Sequence, residues 1–104
     1  MRTDRELLEL AAKAAGHGVE FDPVSGLTWL DNKYTGLLWN PLHVDGDAFR
    51  LAVKLSLHVK VCRRVVLVEQ REIGDDKIEL LQPDPYAATR RAIVRAAAEI
   101  GAAM

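Results

Sequence analysis

The stretch that decides the fold is HVKVCRRVVLV, at positions 58–68. Valine alternates with polar residues in its first half, and β-branched residues follow one another in its second half, which together indicate two β-strands. Further along, Gly74-Asp75-Asp76 has the composition of a hairpin turn, and residues 77–81 are expected to pair back. The sequence therefore predicts three consecutive strands in a small, mostly antiparallel sheet.

Helices are predicted at both ends of the chain. The first begins after Thr3, which is a good N-cap, and Glu6 three residues later completes a capping box. The last helix begins after Asp84 as N-cap, with Pro85 at its first position. Both helices carry alanine-rich faces, which indicate close packing against another helix in the same chain or across a dimer interface.

A short hairpin and a second helix are predicted between these ends. Residues 19–21 and 27–30 form the two strands of the hairpin. The helix begins at Asp45 or Asp47, because either carboxylate accepts from free backbone N–H groups and favours the positive end of the helix dipole. The predicted order is α-β-β-α-β-β-β-α, which describes a single α+β domain over residues 1–104 with three helices packed on the sheet.

Composition excludes several classes of protein. The 104 residues include 14 Lys+Arg and 15 Asp+Glu, and the net charge of −1 gives no global electrostatic reason to bind nucleic acid or a membrane surface. Cys62 is the only cysteine, so neither an intramolecular disulfide nor a cysteine-based zinc site is expected. No apolar stretch approaches the roughly 18 residues of a membrane span, and no signal peptide is recognised. We expect a cytoplasmic protein without a cofactor.

The most unusual stretch is WNPLHVDGD, at positions 39–47. In a functional interpretation, Trp39 offers a stacking face and the helix that follows offers free N–H donors to a ligand. In a structural interpretation, Trp39 packs into the core, Asn40 forms an Asx turn, and Asp45 and Asp47 cap the helix. The sequence leaves both interpretations open.

Arginines are the other notable group. Arg91 and Arg95 share a face of the last helix because they are four residues apart, and Arg90 lies beside them. Such a surface either grips phosphates or is an ordinary solvated helix face. The three histidines lack the spacing of metal ligands, and the two serines lack the context of a nucleophile, so no metal site and no catalytic residue is predicted.

Two segments resemble a known group of proteins. WNP, DGDAFRLAVKL and YAATRRAIVRAA, within positions 39–55 and 86–97, are similar to small uncharacterised proteins of tailed phages and prophages. More distantly, they resemble the NinX-type phage proteins, which have a comparable Trp-Asn-Pro loop and a C-terminal helix containing Arg-Ala. In that group the position of His43 is usually small and polar, and that of Val44 is acidic. The resemblance implies an accessory phage or prophage protein acting in the cytoplasm of a bacterial host.

The leading hypothesis is a non-enzymatic binding protein that modulates or counteracts a host system, with homodimer formation as an open alternative to a monomer. We expect its site to comprise Trp39, Asn40, Asp45, Asp47, Arg50, Thr89, Arg90 and Arg91. An exposed apolar patch would favour a host protein as partner, and a concave pocket with arginines and a tryptophan wall would favour a small anionic, nucleotide-like ligand. Two alternatives stay open: a small hydrolase using Asp45, Asp47 and a histidine with or without a metal, and a nucleic-acid-binding module using the helix arginines.

Overall fold

The computed structural model describes residues 1–70 and 76–104. These residues form three α-helices, namely α1 (Asp4–Ala14), α2 (Asp45–Lys54) and α3 (Pro85–Ala102). They also form five strands, namely β1 (Val19–Phe21), β2 (Thr28–Leu30), β3 (His58–Val61), β4 (Val65–Glu69) and β5 (Lys77–Leu80). The predicted α+β class is confirmed, and the predicted order is followed with one addition, a 3₁₀ helix at Lys33–Thr35. Most of the predicted turn Gly74-Asp75-Asp76 lies outside the described residues.

The strands lie in two antiparallel sheets rather than one. β1 and β2 form a hairpin, and β3, β4 and β5 form a three-stranded sheet in that order. The free side of β2 is taken by the segment that follows it, because Leu30 N–H donates to the carbonyl oxygen of Leu37 (2.8 Å) and Trp39 N–H donates to that of Thr28 (2.9 Å). The hairpin is therefore completed locally and does not join the larger sheet.

Helices α1 and α3 form the closest packing in the molecule. They run in the same direction, since Arg91 contacts Asp4 near the start of α1 and Lys13 near its end reaches the carbonyl of Met104. A Cβ added at Gly101 would lie 1.9 Å from the carbonyl oxygen of Leu10, so only glycine permits this approach. The helix-on-helix packing predicted from the alanine-rich faces is confirmed within the chain.

Helices cover one face of the three-stranded sheet, and this cover is incomplete. Val66 and Val68 of β4 are completely buried under α3, which lies over β4 and β5. Val59 and Val61 of β3 share this face, because they stand opposite Val68 and Val66. Yet Val61 is 63% exposed, since α3 does not extend over it. Helix α2 packs beside α3 and leaves a gap in front of β3.

None of the helices in the described part of the chain is long and apolar enough to span a membrane.

Candidate binding site

The 39–47 loop is held by its own hydrogen bonds. Asn40 forms the predicted Asx turn, in which its Oδ1 accepts from the N–H of Leu42 at 3.1 Å. The carbonyl oxygen of Asn40 accepts from Val44 N–H at 2.9 Å, and its Oδ1 lies 3.3 Å from Nδ1 of His43. Trp39 is 6% exposed and packs in the core, as the structural interpretation expects. This burial removes Trp39 as an open stacking face.

Helix α2 begins at Asp45, one of the two predicted starts, but the prediction that Asp45 or Asp47 caps it is wrong. The N-cap is Val44, whose side chain carries no acceptor, and Asp45 and Asp47 lie in the first turn of the helix. Asp47 is almost completely buried, and its Oδ2 accepts the N–H of Asn40 at 2.9 Å. Its Oδ1 accepts from Arg50 at 2.6 Å. The carboxylate is therefore engaged by the loop and by the next helical turn rather than by the helix's own free amides, although both acids still favour the positive helix end.

Arg90 joins the two segments that the sequence singles out. Its Nε donates to the carbonyl oxygen of Leu42 at 2.8 Å, and a terminal nitrogen donates to Oδ1 of Asp45 at 2.6 Å. The arginine side chain is 15% exposed, so this ion pair is partly shielded from water. Thr89 donates its hydroxyl to the carbonyl of Pro85 within the same helix, at 2.8 Å. The 39–47 loop and α3 thus meet, with Arg90 as the connection.

The other two arginines of α3 lie elsewhere. Arg91 donates to Oδ1 of Asp4 at 3.0 Å and so binds α1. Arg95 pairs with Glu79 and also donates to the carbonyl oxygen of Ile78, which ties α3 to β5. Arg91 and Arg95 line the same part of the surface together with Arg2 and Lys77, but each of the two arginines is paired with its own carboxylate. The choice between a phosphate-gripping surface and an ordinary solvated face therefore stays open. Arg91 contacts α1 and not the loop residues with which the prediction grouped it.

A large apolar groove lies between α2, α3 and β3, and we call it the α2–α3–β3 groove. Its volume is about 800 Å³. Ala48 and Ala52 of α2 line one wall, Ile93 of α3 lines the second, and Val59 and Val61 of β3 line the third. Small residues on α2 leave room in front of the sheet, because alanine fills less space than the larger aliphatic residues of the core. The result is a concave surface with apolar walls.

Four large apolar side chains stand exposed around this groove. Phe49 is 69% exposed, Val53 62%, Val61 63% and Tyr86 70%. None of them was among the site residues predicted from the sequence. A signal existed on α2, where Phe49 and Val53 are four apart. They lie outside the apolar stripe that helical spacing predicts to face the core, namely Ala48, Leu51, Ala52 and Leu55. Thr89, Arg90 and Asp45 were predicted as site residues and do line the groove.

A cleft of about 450 Å³, smaller than the groove, lies on the other side of α2, and we call it the Trp39 cleft. Trp39 and His17 line it with their rings 6.3 Å apart in an edge-on arrangement. Asp47, Arg50 and Lys54 of α2 complete its polar side. Arg50 is 71% exposed and is partly neutralised by Asp47. The predicted residues Trp39, Asp47 and Arg50 therefore meet here and not in the groove.

The two carboxylates of the hydrolase alternative lie apart, with Asp45 in the α2–α3–β3 groove and Asp47 in the Trp39 cleft. Among the described residues, no three His, Cys, Asp or Glu side chains are placed to hold a metal ion. The carboxylates of Asp45 and Asp47 bind different arginines and do not converge as a general acid and base would. The thiol of Cys62 is exposed just beyond β3 and not inside the core as a strand cysteine usually is.

Comparison with known proteins identifies no family for this chain. No family model, no curated protein and no solved structure matches the chain. The resemblance of segments 39–55 and 86–97 to phage proteins therefore stays a prediction.

Proposed function

We propose that the protein is a non-enzymatic binding protein that receives an apolar segment of a protein partner in the α2–α3–β3 groove. The observation that carries this proposal is the cluster of exposed Phe49, Val53, Val61 and Tyr86 around one concave surface. Each of the four is at least 62% exposed, and apolar residues grouped around one concave surface, unlike ones scattered singly, mark a site of interaction. Burying this surface against a partner removes it from water, and aromatic residues are the usual anchors of such interfaces.

The chemistry of the groove supports a protein partner over a nucleotide. A nucleotide needs cationic donors that are free to meet its phosphates. Arg90 lines the groove, but its Nε and one terminal nitrogen already donate to the carbonyl oxygen of Leu42 and to Asp45, and the carboxylate of Asp45 offsets its charge. Asp45 would also repel an anion. The walls formed by Ala48, Ala52 and Ile93 instead suit aliphatic and aromatic side chains.

The second candidate function is binding of a small anionic ligand in the Trp39 cleft. It is supported by Lys54, which has no acidic partner among the described residues, and by the exposed guanidinium of Arg50 one helical turn away. The buried carboxylate of Asp47 counts against it, because it adds a negative charge to the same wall. Titration calorimetry with nucleoside triphosphates, compared between wild type and Lys54→Ala, tests this candidate directly.

We further propose that the protein acts in the cytoplasm of a bacterial host as a phage or prophage accessory protein that modulates or counteracts a host system. This rests on the resemblance of segments 39–55 and 86–97 to phage proteins. The same two segments supply the α2 and α3 walls of the groove, from Asp45 to Val53 and from Tyr86 to Ile93. Most of the residues that line the groove thus lie in the segments that carry the resemblance.

Photocrosslinking in bacterial cells tests the proposed function. A benzophenone amino acid in place of Phe49 should yield a defined adduct, whereas the same group in place of Val24, which is 95% exposed on the hairpin, should not. The partner identified from the adduct is then purified and its affinity measured. Val53→Asp should weaken binding about tenfold or more, because it places a charge in the apolar wall, and Val24→Asp should leave it unchanged. Equal crosslinking at the two positions, or unchanged binding by Val53→Asp, would contradict the proposal.

A further inference from the structure

The open edge of β3 borders the α2–α3–β3 groove, and we infer that the partner segment binds there as an added β-strand. The inference rests on the proposed function and specifies the form of the partner: an extended segment with apolar residues at alternate positions and acidic residues at one end. Three features of the groove lead to it. These are the free backbone groups of β3, the direction of its side chains, and the unpaired positive charges beyond its end.

The backbone of β3 presents unpaired hydrogen-bonding groups to the groove. Cys62 N–H donates to the carbonyl oxygen of Val65 at 2.8 Å, and in an antiparallel ladder alternate residues exchange such bonds with the neighbouring strand. Lys60 is therefore turned towards β4. The N–H and C=O groups of Val59 and Val61 point the opposite way, and no strand among the described residues lies on that side. An incoming strand would pair with these four groups.

The side chains of an added strand would continue the pattern of β3. Val59 and Val61 face the same side of the sheet as the buried Val66 and Val68. A neighbouring strand lies about 4.8 Å further out and presents every second side chain to that face. Those side chains would enter the apolar space in front of Ala52 and Ile93. Apolar residues at alternate positions are therefore required, rather than the three- and four-residue spacing of a helix.

Charge complementarity defines one end of the partner. Arg63 and Arg64 lie in the turn between β3 and β4, after Cys62, and both are exposed. Neither side chain has an acidic partner among the described residues. Lys60 differs, since its Nζ lies 2.9 Å from Glu69, and this hydrogen bond raises the pKa of Lys60 above its ordinary value. The free positive charge thus lies beyond the end of β3 at Val61. Acidic residues just outside the apolar alternation would meet it there.

Pairing with a second copy of the chain fits this edge less well. β3 has only four residues, and Lys60 stands at its middle. Short edge strands and edge lysines are devices by which proteins avoid edge-to-edge association. In a parallel pairing, a second copy would also bring its own Arg63 and Arg64 beside those of the first. A foreign segment with acidic residues avoids both difficulties.

The test uses a displayed library of random linear peptides of about eight residues, a length that suits one strand. Peptides are selected on wild-type protein and counter-selected on Val53→Asp, which places a charge in the apolar wall of the groove. Bound peptides should share alternating apolar residues with acidic residues at one end. In hydrogen exchange followed by NMR, they should slow the amides of Val59 and Val61 at least about tenfold, while the amide of Lys60, already in the ladder, changes little.

Two variants separate backbone pairing from simple apolar contact. Val61→Pro removes an outward N–H without breaking the ladder to β4, since proline is tolerated on an edge strand with that direction. Val61→Ala keeps the N–H and shortens the side chain. We expect peptide binding to fall at least about tenfold in Val61→Pro and less in Val61→Ala. Hydrogen exchange on the wild type needs no variant and decides the matter if Val61→Pro fails to fold.

Each other outcome overturns a defined part of the argument. Peptides with helical spacing that bind Val61→Pro normally, without protecting Val59 and Val61, would reject the added strand and keep the groove as a binding site. A library that enriches nothing over Val53→Asp would reject the proposed function as well. A concentration-dependent dimer in sedimentation equilibrium that Val61→Pro converts to monomer would assign the edge to a second copy and overturn the inference.

Discussion

Gly101 lies where α3 passes α1, and a single methyl group there should destabilise the whole fold. A Cβ on Gly101 would be 1.9 Å from the carbonyl oxygen of Leu10, whereas real Cβ atoms keep at least 3.0 Å from such neighbours. In Gly101→Ala the two helices must therefore separate locally by about 1 Å, since close-packed interiors hold no slack. The contact is with backbone, so a change of rotamer does not relieve it.

The cost follows from the packing that is lost. Ala11 of α1 and Ala97 and Ala98 of α3 are completely buried, so separating the helices opens a tightly packed part of the core. A gap of about 1 Å forfeits up to about half of the dispersion energy of the atoms beside it, and overpacking typically costs about 1–3 kcal/mol. Alanine's better helix propensity returns less than about 1 kcal/mol. We expect a net loss of about 1–2 kcal/mol, which lowers the melting temperature by roughly 5–15 °C.

Thermal and urea unfolding followed by circular dichroism measure this loss. Gly46→Ala is the matched control, because Gly46 is also helical but its Cβ would meet only the guanidinium of Arg50, at 3.2 Å. That group is the mobile end of a side chain that is 71% exposed. The control should be unchanged in stability or gain up to about 1 kcal/mol. A Gly101→Ala protein that melts at or above the wild-type temperature would refute the close approach of α3 to Leu10.

Two further predictions concern carboxylates. Asp47→Ala should lower the free energy of unfolding in urea by about 1–3 kcal/mol, because it leaves the half-buried N–H of Asn40 without its acceptor. Asp45→Ala should cost less, because it removes an exposed partner. Equal losses in the two variants would contradict this difference in burial. Glu99 accepts a hydrogen bond from Lys77, and this bond lowers the pKa of Glu99 in the folded protein. The stability that the bond contributes is therefore fully present above the ordinary glutamate pKa of about 4.3, and it is lost as the pH falls through the lower pKa of the folded state. Melting temperatures measured from about pH 2 to pH 6 should therefore fall less on acidification in Glu99→Gln, and an identical slope would show that this contact does not contribute.

The elements that the sequence predicts well depend on residues close together in the chain. Thr3 and Glu6 form the expected capping box, in which each side chain bonds the other's backbone. Asp84 accepts from two amides of the first turn of α3 behind Pro85. The valine pattern of 58–68 likewise places β3 and β4, because strand pairing through a short turn is itself a local event.

The candidate site is harder to predict because its partners are distant in sequence. Asp47 is of a residue type that commonly caps helices, and it lies near the start of α2. Its carboxylate nevertheless accepts from the backbone N–H of Asn40, seven residues earlier. Helical spacing groups Arg91 with Arg95, but it does not reveal that Asp4 lies opposite one and Glu79 opposite the other. The groove is further removed from any local signal, because three elements must assemble before the apolar residues around it are seen as one surface.

The residues that the sequence marks as a ligand site have another role that is consistent with the groove. Arg90 ties α3 to the start of α2 through Leu42 and Asp45, at the end of the groove where Tyr86 and Phe49 stand exposed. The arginine is 15% exposed and Asp45 is 72% exposed, so the more protected of the two contacts is the hydrogen bond to Leu42. The 39–47 loop and Arg90 thus hold the α2 and α3 walls together at a fixed separation. Segments 39–55 and 86–97 thus build the α2 and α3 walls of the proposed binding surface together, and Arg90 does not itself have to touch the proposed partner.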